Sequence, residues 1–401
     1  MRYRLLNFLV CPLCGRPLQL TVFEEAQRAQ RAGVPAARCS PCFLAAQDSS
    51  LDGCCDDCAQ AEIIHGLLRC SCGRMFPIVH GVPVMLPENS GPLLKLHDTY
   101  PERFAVPADC SDSPNNVSRE GKKTQERFGY EWMRYPACFD GEERGIFFEE
   151  TQLAPAEFAG RLTLDAGCGM GRFTRVAGAQ GGEVIGVDLS ESVYRAHDLT
   201  EHMPNVHIVQ ADLMCLPFNA GSFDIIYSLG VLHHTPDTRK ACASVAGYVR
   251  PGGILSIWVY GTAGRYADFA SNPLRPERLR FVESECAKRL YWLLVLTREQ
   301  CSHALRRITV RMPHRLLYAC CYLLALLGKV PLVKYLTFSA HPDWHVRLLE
   351  NFDWLSPPFQ HHHTKEEVTA WFSEGGFEDV SMLRHGFIPK VGILGKKLSN
   401  R

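Results

Sequence analysis

The sequence predicts an α/β protein with a mostly parallel sheet, preceded by a small cysteine-rich module. Between about residues 121 and 262, apolar runs alternate with amphipathic stretches. This alternation is typical of βαβ units whose sheet is covered by helices on both faces. Half of the 18 cysteines lie within the first 72 residues, which indicates a separate N-terminal module.

Five apolar runs are the candidate strands, and helix-like segments lie between them. They are Leu162–Asp165, Glu183–Asp188, Val206–Gln210, Phe223–Ser228 and Ile254–Val259. Strands of this length separated by helical patterns predict parallel pairing.

Composition restricts the class of protein. A chain of 401 residues with 46% hydrophobic and 21% charged residues is typical of a soluble globular protein with two or more domains. The 43 basic residues balance the 43 acidic ones, which argues against a nucleic-acid backbone as the main partner, although a local basic patch stays open. The first ten residues do not resemble a secretory signal, and the apolar run at 316–328 is shorter than the roughly 20 residues of a membrane span. We therefore expect a cytoplasmic protein without a transmembrane segment.

The cysteines have metal-ligand spacing. Cys11 and Cys14 form a Cys-x-x-Cys knuckle followed by glycine, and Cys70 and Cys72 form a tighter Cys-x-Cys knuckle, also followed by glycine. In a protein that is not exported, clustered cysteines bind metal more often than they form disulfides. Four thiolates suit a tetrahedral zinc ion that folds the module and leaves no position for substrate.

A second zinc is plausible in the segment between these knuckles. Its candidate ligands are Cys39, Cys42, Cys55 and Cys58. Cys54 is left over or substitutes for Cys55, and His65 and His80 are possible replacement ligands. The alternative is a disordered insertion with reduced, metal-free cysteines.

The segment from Leu67 to Pro87 resembles the small zinc-binding domain of the tRNA-methyltransferase activator family. The resemblance covers residues 5–20 and 65–88, whereas the insertion at 39–58 departs from the family. Because that domain recurs fused to methyltransferases or as their partner, the resemblance implies a possible protein partner for the zinc domain.

A glycine-rich turn follows the first strand of the sheet. It contains Asp165, Gly167, Cys168, Gly169 and Gly171. Such strand-to-helix turns bind nucleotide-like cofactors. The third glycine comes one position too early for a pyrophosphate, and the preceding carboxylate suits a cofactor that carries an ammonium group.

Two more carboxylates end the next two strands. Asp188 follows the turn by about 20 residues, where a carboxylate accepts hydrogen bonds from both ribose hydroxyls. Asp212 can accept from an adenine amino group, and Leu213 can donate its backbone N–H. Leu189 and Leu229, next to strand ends, complete the candidate cofactor contacts.

Five motifs, in family order and spacing, resemble class I S-adenosylmethionine-dependent methyltransferases of the group that includes the ubiquinone- and menaquinone-biosynthesis enzymes. They are Leu164–Gly171, Val187–Ser190, Ala211–Phe218, Val231–Asp237 and Val249–Gly253. The resemblance implies a Rossmann-like fold with a mostly parallel seven-stranded sheet and S-adenosylmethionine as the cofactor. It also implies that Asp188 holds the ribose, Asp212 the adenine, and the 167–171 turn the methionine part.

The reaction implied is an in-line methyl transfer, which mainly requires alignment and desolvation. His233 or His234, after the fourth strand, can serve as a general base for a hydroxyl or ammonium acceptor. The alternative is that both histidines only shape their loop.

Two further segments are candidates for contact with substrate. In the first, the aromatic side chains either close the pocket as a lid or take part only in ordinary packing; they are Phe128, Tyr130 and Trp132. In the second, His361–His363 precede the capping box from Thr364 to Glu367, which favours a loop and helix start over an acceptor contact.

The predicted organisation has five parts. We expect a zinc-binding domain over 1–90, a linker over 91–120, the cofactor-binding core over 121–262, a helical cap over 263–350 and completion of the core fold over 351–401. We expect the cap to be buried; a lipophilic acceptor site or an interfacial helix is the alternative.

The sequence therefore predicts a methyltransferase that acts on a small molecule, such as a biosynthetic intermediate. One alternative is an RNA methyltransferase, acting on rRNA or tRNA, whose zinc module recognises the substrate. The other is a scaffold that binds the cofactor without turnover.

Overall fold

The computed structural model describes residues 1–27, 61–87, 90–104, 119–135, 140–271, 284–330, 337–339, 341–383 and 390–399. The chain divides into two compact units. The first unit comprises Met1–Asn116, Phe158–Asp224 and Gly247–Arg250, and the second comprises Val117–Glu157, Ile225–Ala246 and Pro251–Arg401.

The described strands are β1 (Leu18–Gln27), β2 (Ala61–Cys70), β3 (Met75–Val79), β4 (Val82–Pro83), β5 (Leu162–Ala166), β6 (Glu183–Asp188), β7 (Val206–Gln210), β8 (Phe223–Leu229), β9 (Val249–Tyr260), β10 (Phe377–Met382) and β11 (Lys390–Lys397). The described α-helices are α1 (Ser90–Thr99), α2 (Arg119–Trp132), α3 (Asp140–Thr151), α4 (Arg172–Gly178), α5 (Ser192–Thr200), α6 (Thr238–Ala246), α7 (Tyr266–Ser271), α8 (Glu285–Thr309), α9 (His314–Leu327), α10 (Trp344–Leu355) and α11 (Lys365–Glu374).

The N-terminal part of the first unit is a four-stranded antiparallel sheet, in the order β1-β2-β3-β4. A two-residue loop, His80 and Gly81, joins β3 to β4, and both residues have positive φ (48° and 78°). This geometry is that of a type I′ hairpin, whose twist matches that of the flanking strands. Strand β2 is buried along most of its length, and Ile63, Leu67 and Leu68 are fully covered.

The predicted mostly parallel, seven-stranded sheet is confirmed, in the order β10-β11-β9-β8-β5-β6-β7. Strands β5, β6 and β7 pair in parallel, whereas β11 runs antiparallel to β9 and β10. Strand β9 begins at Val249, five residues before the predicted start at Ile254. The Pro251-Gly252-Gly253 run is typical of a turn, but sheet context overrides this local preference.

Most of the exposed large apolar side chains described in the second unit lie on the helices after β9. On α9, Leu317, Cys321 and Ala325 form a buried stripe, while Leu323 and Leu326 stay exposed. The expectation of a buried cap is therefore right for one face of α9 and wrong for the other. No helix within the described ranges is both long and apolar enough to cross a membrane.

Candidate active site

The turn after β5 depends on its three glycines. Gly167, Gly169 and Gly171 have φ values of 93°, 53° and 85°, which residues with a Cβ rarely adopt. At Gly171 a Cβ would also lie 2.9 Å from the Cβ of Ala196 on α5. The turn therefore brings its backbone close to neighbouring elements in a way that larger residues would prevent.

Asp188, at the end of β6, fixes the conformation of this turn. Its Oδ2 accepts a hydrogen bond from the Gly169 backbone N–H at 2.9 Å. Its Oδ1 accepts from the Ser190 N–H at 2.9 Å and from the Ser190 hydroxyl at 2.7 Å. Burial raises the pKa of Asp188, and these hydrogen bonds oppose that shift.

Asp165 and Cys168 line the same turn. Asp165 is 3% exposed and accepts a 2.6 Å hydrogen bond from the Thr174 hydroxyl on α4. Burial raises the pKa of the Cys168 thiol well above its usual value, so this cysteine is a neutral thiol at pH 7. The sequence analysis did not single out Thr174. The signal for it in the sequence is a hydroxyl residue in the first turn of the helix that follows the glycine turn.

Asp212 lies two residues beyond β7. Its Oδ1 accepts a hydrogen bond from the Met214 backbone N–H at 2.9 Å, and burial raises its pKa. The neighbouring Leu213 is 6% exposed. This carboxylate loop and the Asp188 turn follow adjacent parallel strands, which agrees with the order the sequence predicts.

The N-terminal module supports the loop that carries Asp212. The Met85 backbone N–H donates to the Gln210 carbonyl at 2.7 Å, and Val84 forms a parallel bridge with Gln210. Further along the loop, the Cys215 thiol donates to the Pro12 carbonyl at 2.9 Å. The module therefore continues the pairing at the end of β7, directly before the carboxylate.

Charged side chains make further contacts within the first unit. Arg4 donates two hydrogen bonds to Glu183 on β6, at 2.8 and 2.7 Å. His207 lies 3.1 Å from the same carboxylate. Burial alone would raise the pKa of Glu183, but the hydrogen bonds from Arg4 and His207 lower it to about 2. The carboxylate is therefore ionised at all pH values near neutrality.

The structure brings together the four cysteines of the two outer knuckles. The sulfur atoms of these four residues, Cys11, Cys14, Cys70 and Cys72, all lie within 4.8 Å of one another. The Cys11–Cys72 and Cys14–Cys70 sulfur distances are 3.8 and 3.4 Å. Cys39, Cys42, Cys55 and Cys58 lie outside the described residues, and His65 and His80 are outside the four-thiol cluster.

In the second unit, β8 ends at Leu229 and leads through Gly230 to the predicted histidine pair. His233 is fully buried and stacks on Tyr260, with ring centroids 3.9 Å apart. Within the described ranges, neither ring nitrogen of His233 has a hydrogen-bond partner. Burial lowers the pKa of His233 well below its usual value.

His234 is also buried, and its Nδ1–H donates to the Phe359 carbonyl at 2.9 Å. This bond leaves Nε2 as an acceptor. Burial lowers the pKa of His234 to about 3, against the raising effect of the Phe359 hydrogen bond. Both histidines are neutral at pH 7.

The two other predicted segments lie beside this pair. Phe128 on α2 contacts the His234 ring at 4.9 Å, whereas Tyr130 packs against Tyr318 and Phe352. The His361 backbone N–H donates to the His233 carbonyl at 2.9 Å. The predicted capping box at Thr364 is confirmed.

Comparison with protein families identifies both parts. Residues 164–257, which include the glycine turn and all the strand-end carboxylates from Asp165 to Asp212, match the methyltransferase domain family. Residues 2–81 match the Trm112p-like protein family. The chain carries a methyltransferase domain and a Trm112p-like domain. Both predicted resemblances are thereby confirmed.

Curated relatives of the methyltransferase domain have diverse names. An uncharacterized chloroplastic methyltransferase of Arabidopsis thaliana is 30% identical over 36% of this chain and 42% of its own length. The ubiquinone biosynthesis O-methyltransferase of Aromatoleum aromaticum is 40% identical over 24% of this chain and 43% of its own. A tRNA U34 carboxymethyltransferase of Citrifermentans bemidjiense is 28% identical over 52% and 66%, respectively. The chain thus spans about two fifths of the length of the first two.

Proposed function

We propose that the chain is an S-adenosylmethionine-dependent methyltransferase that acts on a small-molecule acceptor, with structural zinc in its Trm112p-like domain. The observation that carries this proposal is Asp188, whose half-buried carboxylate ties the glycine turn to the end of β6 within the methyltransferase domain. A turn held in this way presents backbone N–H groups and a carboxylate to one cofactor.

The cofactor-binding roles follow from the chemistry of each group. Asp165 and the 167–171 turn, including Cys168, would hold the methionine part, and Asp188 the ribose. The Ser190 hydroxyl can give up its hydrogen bond to Oδ1 of Asp188, because it has a second partner, the Ser192 hydroxyl, at 2.7 Å. Asp212 and Leu213 would hold the adenine, and Leu189 and Leu229 are further candidate cofactor contacts that rest on the sequence alone. When bound, the cofactor supplies a sulfonium-activated methyl group.

We assign acceptor binding to His233 and His234. The two ring nitrogens of His233 have no hydrogen-bond partner within the described ranges, and Nε2 of His234 is an acceptor. A neutral His233 would offer one N–H donor and one acceptor nitrogen to orient the methyl acceptor. Because burial holds the pKa of His234 near 3, a full proton on this ring is costly at neutral pH. The pair would therefore align the methyl acceptor through hydrogen bonds rather than act as a general base that takes up its proton. Any pH dependence of turnover between pH 6 and 9 would then come from the acceptor.

A small acceptor is supported by the surroundings of His233. Tyr260 stacks on it, and Trp354 stacks on Tyr260 at 5.1 Å. Such aromatic faces suit a compact apolar or aromatic acceptor. The balanced net charge supports the same choice. The relatives named tRNA U34 carboxymethyltransferases favour RNA as the second candidate.

Zinc fits the four-thiol cluster. A Zn–S bond of about 2.3 Å in a tetrahedral site places sulfur atoms roughly 3.8 Å apart, close to the 3.4 and 3.8 Å found here. Cys11, Cys14, Cys70 and Cys72 would ligate one ion and close the site. A second zinc at Cys39, Cys42, Cys55 and Cys58 rests on their spacing alone.

Turnover assays can separate the candidate functions. The full chain, loaded with zinc, is incubated with S-adenosylmethionine and either a pool of small hydroxyl, phenol and amine acceptors or total tRNA. Release of S-adenosylhomocysteine is measured. We expect release with the small acceptors. Release with tRNA alone would reject the small-molecule proposal, and cofactor binding without release in either pool would favour a scaffold.

A further inference from the structure

A second group of metal-ligand side chains lies in the second unit, well removed in sequence from the cysteine cluster. Glu299 and His303 are one turn apart on α8, and His362 comes from the segment just before α11. One donor atom of each lies within 4.8 Å of the other two. Neither the methyltransferase match nor the Trm112p-like match covers these residues.

The carboxylate of Glu299 is held in a fixed orientation. Its Oε2 accepts a 2.8 Å hydrogen bond from the Ala263 backbone N–H. Its Oε1 lies 3.8 Å from Nε2 of His303. This distance exceeds hydrogen-bond length and is shorter than about 4.2 Å, the sum of two metal–ligand bonds of about 2.1 Å. Since a ring nitrogen of His362 also lies within 4.8 Å of the ligand atoms of Glu299 and His303, an ion can bridge the three groups.

Because the cluster is largely buried, the negative charge of the Glu299 carboxylate needs a cationic partner. The side chains of Glu299 and His362 are only 11% and 10% exposed. Within the described ranges, the ion-pair partners of Glu299 are these two histidines, with no lysine or arginine. A buried carboxylate without a cation is costly, and a divalent ion would compensate it.

The ring of His362 is supported by the backbone. Its Nδ1–H donates to the Gly261 carbonyl at 3.1 Å, which leaves Nε2 as the ring nitrogen that would bind an ion. Backbone contacts of this kind orient histidine ligands in metal sites. The side chain of His303 is 39% exposed, so one edge of the cluster is open to solvent. An ion held here would keep coordination positions free for water or another ligand.

We propose that Glu299, His303 and His362 form a binding site for a divalent transition-metal ion. Two imidazoles and one carboxylate are a donor set that Zn²⁺ and Fe²⁺ accept with open positions. The site is chemically distinct from the four-thiol cluster. This proposal does not depend on whether the chain transfers methyl groups.

Cobalt provides a probe that separates the two kinds of site. The full chain is first loaded with only as much Zn²⁺ as its thiolate sites bind, because excess Zn²⁺ would also fill the histidine–carboxylate site. It is then titrated with Co²⁺ while its absorption spectrum is recorded. Co²⁺ bound by thiolates gives an intense near-ultraviolet charge-transfer band, whereas nitrogen and oxygen ligands give only weaker visible bands. We expect one equivalent of Co²⁺ with visible bands and without the thiolate band.

Three variants decide whether these residues are the ligands. His303→Ala and Glu299→Gln should weaken this binding by at least about 100-fold, since each removes a direct ligand. The control is His345→Ala, because Nδ1 of His345 also lies 3.8 Å from a carboxylate, that of Asp343, but the ring is 61% exposed and outside the cluster.

Circular dichroism of the zinc-loaded proteins, recorded before Co²⁺ is added, checks that each variant is folded. Because His303 is partly exposed, its variant alone suffices if Glu299→Gln fails to fold. The proposal is overturned if the wild type takes up no Co²⁺ outside thiolate sites. It is equally overturned if folded His303→Ala binds Co²⁺ as tightly as the wild type.

Discussion

Replacing Arg4 by methionine tests how the Trm112p-like domain is held in the first unit. Methionine keeps an unbranched apolar side chain next to Phe8, over whose ring the guanidinium lies at 5.1 Å. It removes both hydrogen bonds to Glu183 and leaves His207 as the partner of that carboxylate. Since burial lowers the pKa of His207, a mainly neutral ring would then face the carboxylate at pH 7.

The magnitude follows from the pKa of Glu183, which falls from 4.5 to about 2 in the folded chain. This difference corresponds to about 3 kcal/mol. His207 supplies part of it, and the Arg4 and Glu183 side chains are still 34% and 22% exposed. Solvent screening therefore reduces the expected loss from Arg4→Met to about 1–2 kcal/mol.

The sign of the pH dependence is fixed by the lowered pKa. The stabilisation is fully present above the unfolded pKa of Glu183 and is lost as the pH falls from about 4.5 towards 2. Thermal melting at pH 7 should show a transition about 4 °C lower for Arg4→Met than for the wild type. This difference should shrink steadily below pH 4.5.

A matched control is the exposed pair Arg239–Glu374, which has the same 2.7 Å distance but side chains 61% and 54% exposed. Arg239→Met should change the melting temperature by less than about 2 °C. Equal effects of the two substitutions, or a difference for Arg4→Met that persists unchanged at pH 3, would refute the reasoning.

Further predictions concern a glycine and the zinc ligands. In thermal melts, Gly230→Ala should cost at least about 2 kcal/mol, because its φ is 79° and a Cβ would lie 2.6 Å from the Trp258 ring. Gly221→Ala, with a φ of 64° but its nearest atom 3.9 Å away, should cost only about 1 kcal/mol; equal costs would remove the steric argument. Cys72→Ser should lower the zinc content by one equivalent and weaken binding of S-adenosylhomocysteine, because the module supports the end of β7 at Gln210. Metal analysis and calorimetry check this, and unchanged zinc content would contradict it.

The methyltransferase sheet was largely predictable from local pattern. The starts of β5, β6, β7 and β8 were all predicted at the observed residues, because each strand is an apolar run between polar or glycine-containing segments. The glycine turn was predictable for a similar reason, since the positive φ of Gly171 leaves little choice of residue.

Contacts between residues distant in sequence were not predictable. The pairing of Val84 with Gln210 joins segments more than a hundred residues apart, and no local pattern encodes it. Thr174 and Ser190, which donate hydrogen bonds to Asp165 and Asp188, have no distinguishing pattern in the sequence. Glu299 and His303 have helical i,i+4 spacing, but only the fold brings His362 to them.

The central claim is most directly tested by calorimetric titration of the full, zinc-loaded chain with S-adenosylhomocysteine. The account predicts saturable binding at one site per chain. Asp188→Asn should weaken it by at least about 10-fold, since hydrogen bonds to a charged group contribute about 1.5–3 kcal/mol. Asp98→Asn, at an 81% exposed side chain on α1, should bind as the wild type does. No binding by the wild type, or equal affinity for wild type and folded Asp188→Asn, would contradict the account.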